Sequence, residues 1–465
     1  MSTLQFDPNL IGYNADVVVV GGGLSGLTAA YRLANQGVDV AILEARERAG
    51  GRMASGTFNG EAYDLGAHWV APNAVQLRKI IHDLGLPLTT QYHDGESAVL
   101  LGNKSYTFKQ RSPMLSPAVS HDRWSVMRLL NRYARAMQTP TNKVIEQINA
   151  FDQLSFGLWL KQTCRFKQSI AWFNIMCRIR FNAEPSEISL IYIIDQVQAF
   201  QKSEYLFPYR PAFQQERVVG GAQRIGDRLA TQLRPQLQLD APVLAMRQDD
   251  TSITAYSRGS SVRARYAVIA LPPAVAEQIY FEPHLPPGRD ALNQRILMGR
   301  AIEAILCYDY PFWRENNKSG FMLSDSGPAV MVHDVSPATN TEGALACLIA
   351  GNAASHWGAQ PRGERLRALV QQLSGWLGNE AGAYRGMIER DWNSERWNRG
   401  SVGFMPPGTS SFVHSINMPV GRIHWAGSEA STQWTGTLEG AIDAGEKAAE
   451  EIIRQLREGG HLKAK

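Results

Sequence analysis

The pattern of apolar residues near the N-terminus changes from a continuous run to the period of a helix. Val17 to Val20 are four consecutive valines, which is typical of a parallel strand covered on both faces. Leu27 to Asn35 has helical character, and Gly37 is placed to end that helix. The next stretch, VDVAILE, predicts a second strand that ends at Glu44. The pattern therefore predicts a strand, a helix and a second, parallel strand.

A later apolar run contains a carboxylate. The stretch RAIEAILCYDYPFW (residues 300–313) predicts a strand that enters an apolar core. Strict alternation places Glu303 on the same face as Ile305 and Cys307. Glu303 is either a solvated residue at a strand end or a functional carboxylate, and this stretch alone leaves both readings open.

Composition limits the class of protein. The chain has 465 residues, which is too long for one ordinary core, so two or more interleaved domains are expected. Hydrophobic residues make up 44% and charged residues 19%, as in a globular protein rather than a disordered one. The net charge is only +4 and the arginines are scattered, so nucleic-acid binding has no support.

Neither metal binding nor a membrane span is expected. The cysteines form no CxxC pair and no Cys/His metal spacing, so reduced thiols are expected at Cys164, Cys177, Cys307 and Cys347. The first residues lack the basic and apolar regions of a signal peptide, and the valine run is far too short to span a bilayer. A cytoplasmic location is the expectation.

The glycines after the first strand carry the most specific chemistry. Gly21, Gly23 and Gly26 form a G-x-G-x-x-G pattern between the valine strand and the helix. Gly21 allows a tight turn, Gly23 a close approach of a pyrophosphate, and Gly26 close packing of helix on strand. Glu44, at the end of the second strand, is placed to accept hydrogen bonds from a ribose 2′-hydroxyl. With all parts in register, the segment predicts dinucleotide binding.

The residues that follow indicate which dinucleotide. EARERAGGR, Glu44 to Arg52, resembles the extended fingerprint of the flavin-dependent amine oxidase family, which includes monoamine oxidases, polyamine oxidases and L-amino-acid oxidases. In that family the second glycine pair and the arginines wrap the phosphates and flavin of FAD. The resemblance therefore implies FAD contacts at Ala45, Arg46, Gly51 and Arg52, with phosphate contacts from the two arginines.

The resemblance continues in family order along almost the whole chain. DLGAHWV (64–70) matches the segment beside the flavin ring, and GRIHWAGSEASTQWTGTLEGAIDAGEKAAEEI (421–452) matches the closing FAD segment. The helix that begins after Thr437 is expected to point its N-terminus at the flavin N1/O2 edge. Further implied FAD contacts are Ala67, His68, Trp69, Val243, Trp392, Gly427, Ser428, Glu429, Thr437 and Leu438.

The resemblance also implies the fold. We expect an α/β plus α+β protein, with a Rossmann-like FAD-binding domain of the GR2 type and an interleaved substrate domain of mixed sheet and helices. The FAD-binding domain is expected at 1–75, 217–297 and 390–465. The substrate-binding domain is expected at 76–216 and 298–389.

The resemblance implies oxidation of a small amine. In that family a hydride passes from the carbon bearing the amine to flavin N5, the imine is hydrolysed, and dioxygen, giving hydrogen peroxide, or another acceptor reoxidises the flavin. One alternative is an L-amino-acid oxidase, for which Arg210 is a candidate carboxylate ligand or only a surface residue. A desaturase or isomerase of the same fold is another alternative. A homodimer is left open.

Two departures from monoamine oxidases concern the flavin and the amine pocket. The position of their flavin-linking cysteine falls at Gly400 or Ser401, so the FAD is expected to be noncovalent. Their two tyrosines that sandwich the amine are replaced, one by Ser401 or Val402 and the other by Thr437. The substrate candidates are therefore Trp397, Trp434, Thr437 and Tyr209, although Trp434 could equally pack under the flavin.

Two further departures concern candidate catalytic groups. His68 could position a substrate amine or act as a base, or could simply hydrogen-bond a backbone carbonyl. Relatives commonly carry a lysine near flavin N5, four residues after a glycine, and four residues after Gly299 this chain has Glu303. A carboxylate there opposes negative charge on reacting oxygen and, in an apolar site, should have a raised pKa. We therefore expect Glu303 to face the active site and oxygen reactivity to be slow.

Overall fold

The two predicted strands near the N-terminus lie side by side in a parallel sheet. The computed structural model describes residues 11–102, 104–109, 115–138, 146, 150–208, 216–338 and 342–462. Five parallel strands form this sheet, in the order Leu237–Gln238, Val40–Leu43, Val17–Val20, Tyr266–Ile269 and Ile423–Trp425. The valine strand is central and buried on both faces, which explains its lack of polar residues.

The first helix starts earlier than the apolar period predicted. It runs over Leu24–Ala34 rather than from Leu27, because the glycine turn already ends at Gly23, which has extended backbone angles and caps the helix. Leu24 and Leu27 both point into the core against the parallel sheet. The second strand is shorter than predicted, at Val40–Leu43, and Glu44 follows it directly.

A second five-stranded sheet covers the other face of the parallel sheet. Its strands lie in the order Ile11–Asn14, Ser260–Ala264, Ile253–Ser257, Val243–Gln248 and Tyr280–Glu282. Val18 and Val20 pack with its apolar residues, whereas Val17 and Val19 pack with the helices on the opposite face. Each valine of the central strand therefore has an apolar partner layer.

The strand that contains Glu303 belongs to a seven-stranded, mostly antiparallel sheet. The order is Gly386–Asp391, Ala301–Tyr308, Gly343–Ala350, Met331–Asp334, Lys318–Ser324, Glu96–Leu101 and Lys104–Phe108. All residues of Ala301–Tyr308 are buried. One face packs on the helix Arg362–Leu377, and the other, which carries Ile305 and Cys307, packs on Tyr63 and Leu65.

Three two-stranded pairs connect these layers. They are Ser55–Phe58 with Glu61–Asp64, Leu88–Thr90 with Glu216–Val218, and Leu297–Met298 with Gly403–Phe404. Each pair is antiparallel. The first pair leads directly into the DLGAHWV segment.

Helices fill the spaces around the sheets. The α-helices with both ends among the described residues are Leu24–Ala34, Val75–Asp83, Pro117–Gln138, Phe156–Thr163, Lys167–Phe181, Leu190–Ala199, Ser203–Leu206, Gln223–Gln232, Pro273–Ala276, Pro287–Arg295, Phe312–Glu315, Asn352–Gly358, Arg362–Leu377 and Leu438–Glu458. Short 3₁₀ helices lie at Arg234–Gln236, Asn379–Gly382, Ser410–Ser415 and Ser428–Ala430. The parallel sheet with its helices and the mostly antiparallel sheet confirm the predicted α/β plus α+β fold class.

The last long helix closes the N-terminal unit. Leu438–Glu458 packs on Leu24–Ala34 so closely that a side chain at Gly445 would lie 2.3 Å from the Ser25 carbonyl oxygen. All four cysteines are free thiols. Within the described ranges, the helices are too short or too polar to span a bilayer.

Candidate functional site

The glycine turn has no room for side chains at two positions. Gly21 has a φ of +105°, and a Cβ there would lie 2.8 Å from the Ala270 carbonyl oxygen. A Cβ on Gly26 would lie 1.9 Å from the Gly21 carbonyl oxygen. Gly21 is needed because its backbone is left-handed. Gly26 is needed because the backbone of the helix touches the backbone at the end of the strand. Both glycines therefore have the roles that their spacing predicted.

The same turn presents free backbone donors. Gly23 caps the helix Leu24–Ala34, and no side chain in the described part of the chain accepts from its first turn. The exposed N–H groups and the positive end of the helix dipole form an anion site of the type that holds a pyrophosphate.

Glu44 lies beside this anion site and is almost fully buried. One carboxylate oxygen accepts from the Gly22 N–H at 2.7 Å and the other from the Arg46 N–H at 2.9 Å. The Glu44 carbonyl accepts from the Ala241 N–H, two residues before Val243. The structure thus brings Glu44 close to Val243, another of the implied FAD contacts.

Two arginines of EARERAGGR, Arg46 and Arg48, bond to other residues of the protein and thereby hold the loop in place. Arg46 pairs with Glu44 and, at 3.4 Å, with Glu395. Arg48, which the sequence reasoning missed, donates to the carbonyls of Ala49, Gly51 and Met53. Burial, with the nearby arginine charges, lowers the pKa of Arg48 to about 10. The position of Arg48 between Arg46 and the glycine pair was the sequence feature that could have indicated this role.

Arg52 and Glu429 form a buried ion pair across the site. Arg52 Nη1 lies 2.6 Å from Glu429 Oε1 and 2.8 Å from the Ser401 carbonyl, and Nη2 donates to Ser428 Oγ. Burial alone raises the pKa of Glu429, but the Arg52 charge outweighs it and lowers that pKa below its ordinary value. The predicted neighbours Arg52, Ser428 and Glu429 are therefore in direct contact, with the carboxylate neutralised by the arginine.

The helix N-terminus predicted at Thr437 is present. Thr437 is the N-cap of Leu438–Glu458, and its hydroxyl oxygen accepts from the Gly440 N–H at 3.1 Å. Leu438 is the first helical residue and is buried. The first turn therefore presents its positive end near Ser428 and Glu429, because Gly436 N–H bonds the Ser428 carbonyl at 3.2 Å.

The DLGAHWV segment is held against the EARERAGGR loop (residues 44–52). The Trp392 indole N–H donates to the Leu65 carbonyl at 2.8 Å, and Ala67 N–H donates to the Arg52 carbonyl at 3.1 Å. A Cβ on Gly66 would lie 2.2 Å from that same Arg52 carbonyl. Trp392 thus holds the backbone of the DLGAHWV segment, and this segment lies directly on the EARERAGGR loop.

His68 leads into a group of three rings, which we call the ring cluster: His68, Trp69 and His333. The two histidine rings stack at 5.3 Å, and Trp69 lies 4.4 Å from His68 and 4.9 Å from His333. His333 lies on a central strand of the seven-stranded sheet. Sequence reasoning missed His333, although a histidine in the apolar stretch MVHDV was a weak signal.

Both histidines are neutral at physiological pH. Burial lowers the pKa of His68 to about 4, and burial together with the Arg217 charge lowers the pKa of His333 well below its usual value. His68 Nδ1 lies 2.7 Å from the Gly66 carbonyl oxygen, so this nitrogen carries the proton. The predicted bond to a backbone carbonyl is thus present. His68 Nε2 is left as a buried acceptor with no partner among the described residues.

Glu303 is buried, so the reading as a solvated strand end was wrong. It is only 7% exposed, because strands pair with it on both sides, at Leu348 and Arg390. Its Oε1 has no hydrogen-bond partner in the described part of the chain. Burial, with the nearby Asp64 charge, raises the pKa of Glu303 to about 8. Glu303 therefore holds its proton at neutral pH and shares its sheet face with His333.

The predicted substrate residues are scattered. Trp434 packs against Phe200 at 5.1 Å and Tyr205 at 6.3 Å. Trp397 is half-buried and lies under the Arg396 guanidinium at 4.6 Å. Tyr209 and Arg210 lie outside the described residues. Thr437 and Trp434 are in contact, since the Thr437 hydroxyl donates to the Trp434 carbonyl.

These features fit FAD. The glycine turn leaves backbone donors for a pyrophosphate, the Glu44 carboxylate lies beside that turn, and a second helix N-terminus lies beside the Arg52–Glu429 pair. On the side of the segment 64–70 toward the seven-stranded sheet, His68 Nε2 and Glu303 Oε1 are buried and have no partner among the described residues.

Comparison with known proteins agrees with this geometry. The family model for flavin containing amine oxidoreductases matches residues 24–453. A probable flavin-containing monoamine oxidase A of Dictyostelium discoideum is 31% identical over 95% of this chain and 98% of its own length. An L-amino acid dehydrogenase of Synechocystis is also 31% identical, over 95% of this chain and 96% of its own length.

Solved structures show the same fold. Cyclohexylamine oxidase from Brevibacterium oxydans is 29% identical, with a TM-score of 0.89 over 96% of this chain and 100% of that chain. Putrescine oxidase bound to putrescine is 25% identical, with a TM-score of 0.89 over 95% of this chain and 100% of that chain. This chain belongs to the flavin containing amine oxidoreductase family, and it is an FAD-dependent oxidoreductase that acts on CH–NH groups.

Proposed function

We propose that this protein oxidises a small primary or secondary amine to an imine, which is then hydrolysed. When bound, FAD supplies at its N5 the acceptor for the hydride that leaves the carbon bearing the amine. The observation that carries the proposal is a set of buried polar atoms around the segment 64–70 that lack partners among the described residues: His68 Nε2, Glu303 Oε1 and both ring nitrogens of His333. Such atoms are costly unless a ligand satisfies them.

We further propose that FAD is held without a covalent bond. Gly400 and Ser401, the positions where a linking cysteine would lie, offer no thiolate. The residues proposed to hold FAD are Gly21, Gly23, Gly26, Glu44, Ala45, Arg46, Gly51, Arg52, Ala67, His68, Trp69, Val243, Trp392, Gly427, Ser428, Glu429, Thr437 and Leu438. The interleaved domain boundaries, a cytoplasmic location and a homodimer stay predictions.

The ring cluster is proposed to receive the amine. His68 Nε2 is a neutral acceptor, because its Nδ1–H is committed to the Gly66 carbonyl. An acceptor of this kind can hold an amine N–H without placing a positive ring beside a substrate cation. The apolar faces of Trp69 and His333 exclude water from one side, which strengthens that hydrogen bond.

Anaerobic mixing with amines tests the function. The purified flavin-loaded protein is mixed with a panel of primary and secondary amines, and the flavin absorbance bands are followed. We expect at least one amine to bleach the flavin. A flavin that neither an amine nor an amino acid bleaches would refute the proposal and favour the desaturase or isomerase alternative.

Glu303 is proposed to slow the reaction with dioxygen. A group that is neutral at pH 7 and anionic above about 8 cannot supply the positive charge that stabilises reduced oxygen. We expect Glu303→Lys to speed reoxidation of the reduced flavin several-fold in stopped-flow mixing with oxygenated buffer. Glu303→Gln is the matched control and should not speed it at neutral pH. If Glu303→Lys binds FAD and reacts no faster, the electrostatic argument is wrong and another acceptor must be sought on other grounds.

A further inference from the structure

Arg217 is a partly buried cation whose guanidinium has no hydrogen-bond partner among the described residues. It lies on the strand Glu216–Val218, and the adjacent Glu216 exchanges two backbone hydrogen bonds with Val70, of 2.8 and 3.1 Å. This pairing places Arg217 next to the segment that carries the ring cluster. Its Nε is buried and unpaired, and no hydrogen bond or ion pair joins its guanidinium to any residue in the described ranges.

The two aspartates whose charges act on Arg217 are already engaged elsewhere. Asp64 Oδ1 accepts from the Ala222 N–H at 2.8 Å. Asp334 Oδ2 accepts from the Trp313 indole at 2.7 Å and from Arg314 Nε at 2.8 Å. Their charges partly balance that of Arg217, but neither satisfies its N–H groups. The guanidinium therefore keeps its donors for another acceptor.

The ring cluster completes the surroundings of Arg217. The positive charge of Arg217 lowers the pKa of both His68 and His333, so the Arg217 guanidinium lies close to both rings. His333 is fully buried, and both of its ring nitrogens lack partners among the described residues. A neutral imidazole has one N–H donor, so His333 can donate to an anion that Arg217 holds.

The ring cluster also has a separate acceptor. His68 Nε2 cannot donate, because Nδ1 carries the ring proton, and it faces no partner in the described part of the chain. Arg217 and His333 therefore offer a cation and an N–H donor, and the adjacent His68 ring offers an acceptor. Glu303 lies two strands away on the same sheet face and two residues along, at about 12 Å from His333, so it is outside this group.

We propose that the amine oxidised by this protein is an amino acid, whose carboxylate is bound by the Arg217 guanidinium and a His333 N–H while its amino group donates to His68 Nε2. This inference rests on the proposed amine oxidation and names its substrate class. Arg217 matches a carboxylate because its planar fork can donate two parallel hydrogen bonds. A simple amine would leave both Arg217 and His333 unsatisfied.

Matched substrate pairs test the substrate class. Each pair is an amino acid and its decarboxylated amine: L-phenylalanine and phenethylamine, L-leucine and isoamylamine, L-lysine and cadaverine, L-arginine and agmatine. We expect the wild-type protein to have the higher kcat/KM for the amino acid of at least one pair. Wild-type activity on the amines alone would overturn this inference and leave amine oxidation intact. Failure with all eight compounds would overturn both proposals.

Substitution of Arg217 tests the residue. Arg217→Met should lower kcat/KM for the amino acid about 30-fold or more, as expected when one partner of a buried charge pair is removed. The decarboxylated amine should be affected less than about threefold, and Arg217→Lys should fall between. Arg258→Met, which removes an exposed arginine, is the matched control and should behave as wild type. Equal losses for amine and amino acid in folded, FAD-loaded Arg217→Met would show a purely structural arginine and overturn the assignment.

A binding measurement avoids turnover. Benzoate and benzamide have the same shape, but only benzoate carries a charge. We expect benzoate to raise the Tm of the flavin-loaded wild-type protein and of Arg258→Met but not that of Arg217→Met, and benzamide to raise none. Equal benzoate shifts in wild type and Arg217→Met would contradict a carboxylate site at Arg217.

Discussion

Replacing Gly26 with alanine is expected to abolish FAD binding. The new Cβ would lie 1.9 Å from the Gly21 carbonyl oxygen and 3.0 Å from Ala270 Cβ, so the helix Leu24–Ala34 must move off the strand that precedes the turn. Overpacking of this kind costs about 1–3 kcal/mol of stability, and more when backbone opposes backbone. The displaced helix also loses the register that aims its N–H groups at the pyrophosphate. The measurement is flavin content per chain after gel filtration.

A second glycine-to-alanine change separates this effect from general damage. Gly375 lies in the helix Arg362–Leu377, and a Cβ there would meet open space. Gly375→Ala should keep full flavin content and gain up to about 1 kcal/mol from helix propensity. Full FAD occupancy in Gly26→Ala would contradict the role that the structure gives to this contact.

Replacing Glu303 with glutamine is expected to make the protein more stable at alkaline pH. The pKa of Glu303 is raised by burial from an ordinary 4.5 to about 8 in the folded protein. The folded chain therefore keeps a proton that the unfolded chain releases, and the free energy of unfolding falls as the pH rises through this window. The loss is on the order of 5 kcal/mol when complete. Glutamine cannot ionise, so it removes the loss.

Urea unfolding of the flavin-loaded protein at several pH values measures this effect. The stability difference between Glu303→Gln and wild type should be small below about pH 5 and largest above about pH 8. Glu458→Gln replaces an exposed glutamate at the end of the last helix and should leave the pH dependence unchanged. Parallel curves for wild type and Glu303→Gln would show that Glu303 is not a protonated, buried carboxyl.

The dinucleotide unit could be read from the sequence because its parts are neighbours in the chain. One strand, one turn and one helix separate Gly21 from Glu44, and the lengths of these elements determine where the carboxylate comes to lie. The placement of Thr437 at a helix N-terminus was equally local. The start of the first helix was misplaced by three residues, because the apolar period does not show that Gly23 already caps it.

Alternation was also enough to place Glu303 on a face with Ile305 and Cys307, but not to decide whether that face is buried. Burial came from the strands that pair on both sides, Gly343–Ala350 and Gly386–Asp391. Those partners lie far along the chain, and no local period encodes them. The raised pKa and the unpaired oxygen of Glu303 follow from that pairing alone.

By itself, then, the sequence determined the FAD turn, the family and the unusual carboxylate, since each depends on spacing within a short segment. Only the tertiary structure decided what lies around the substrate. His68 meets His333 because the segment after Asp64 packs on the face of the seven-stranded sheet. Arg217 joins them because its strand pairs with Val70. Contacts between distant segments depend on how sheets and loops pack, and burial then removes the water that would otherwise satisfy these groups.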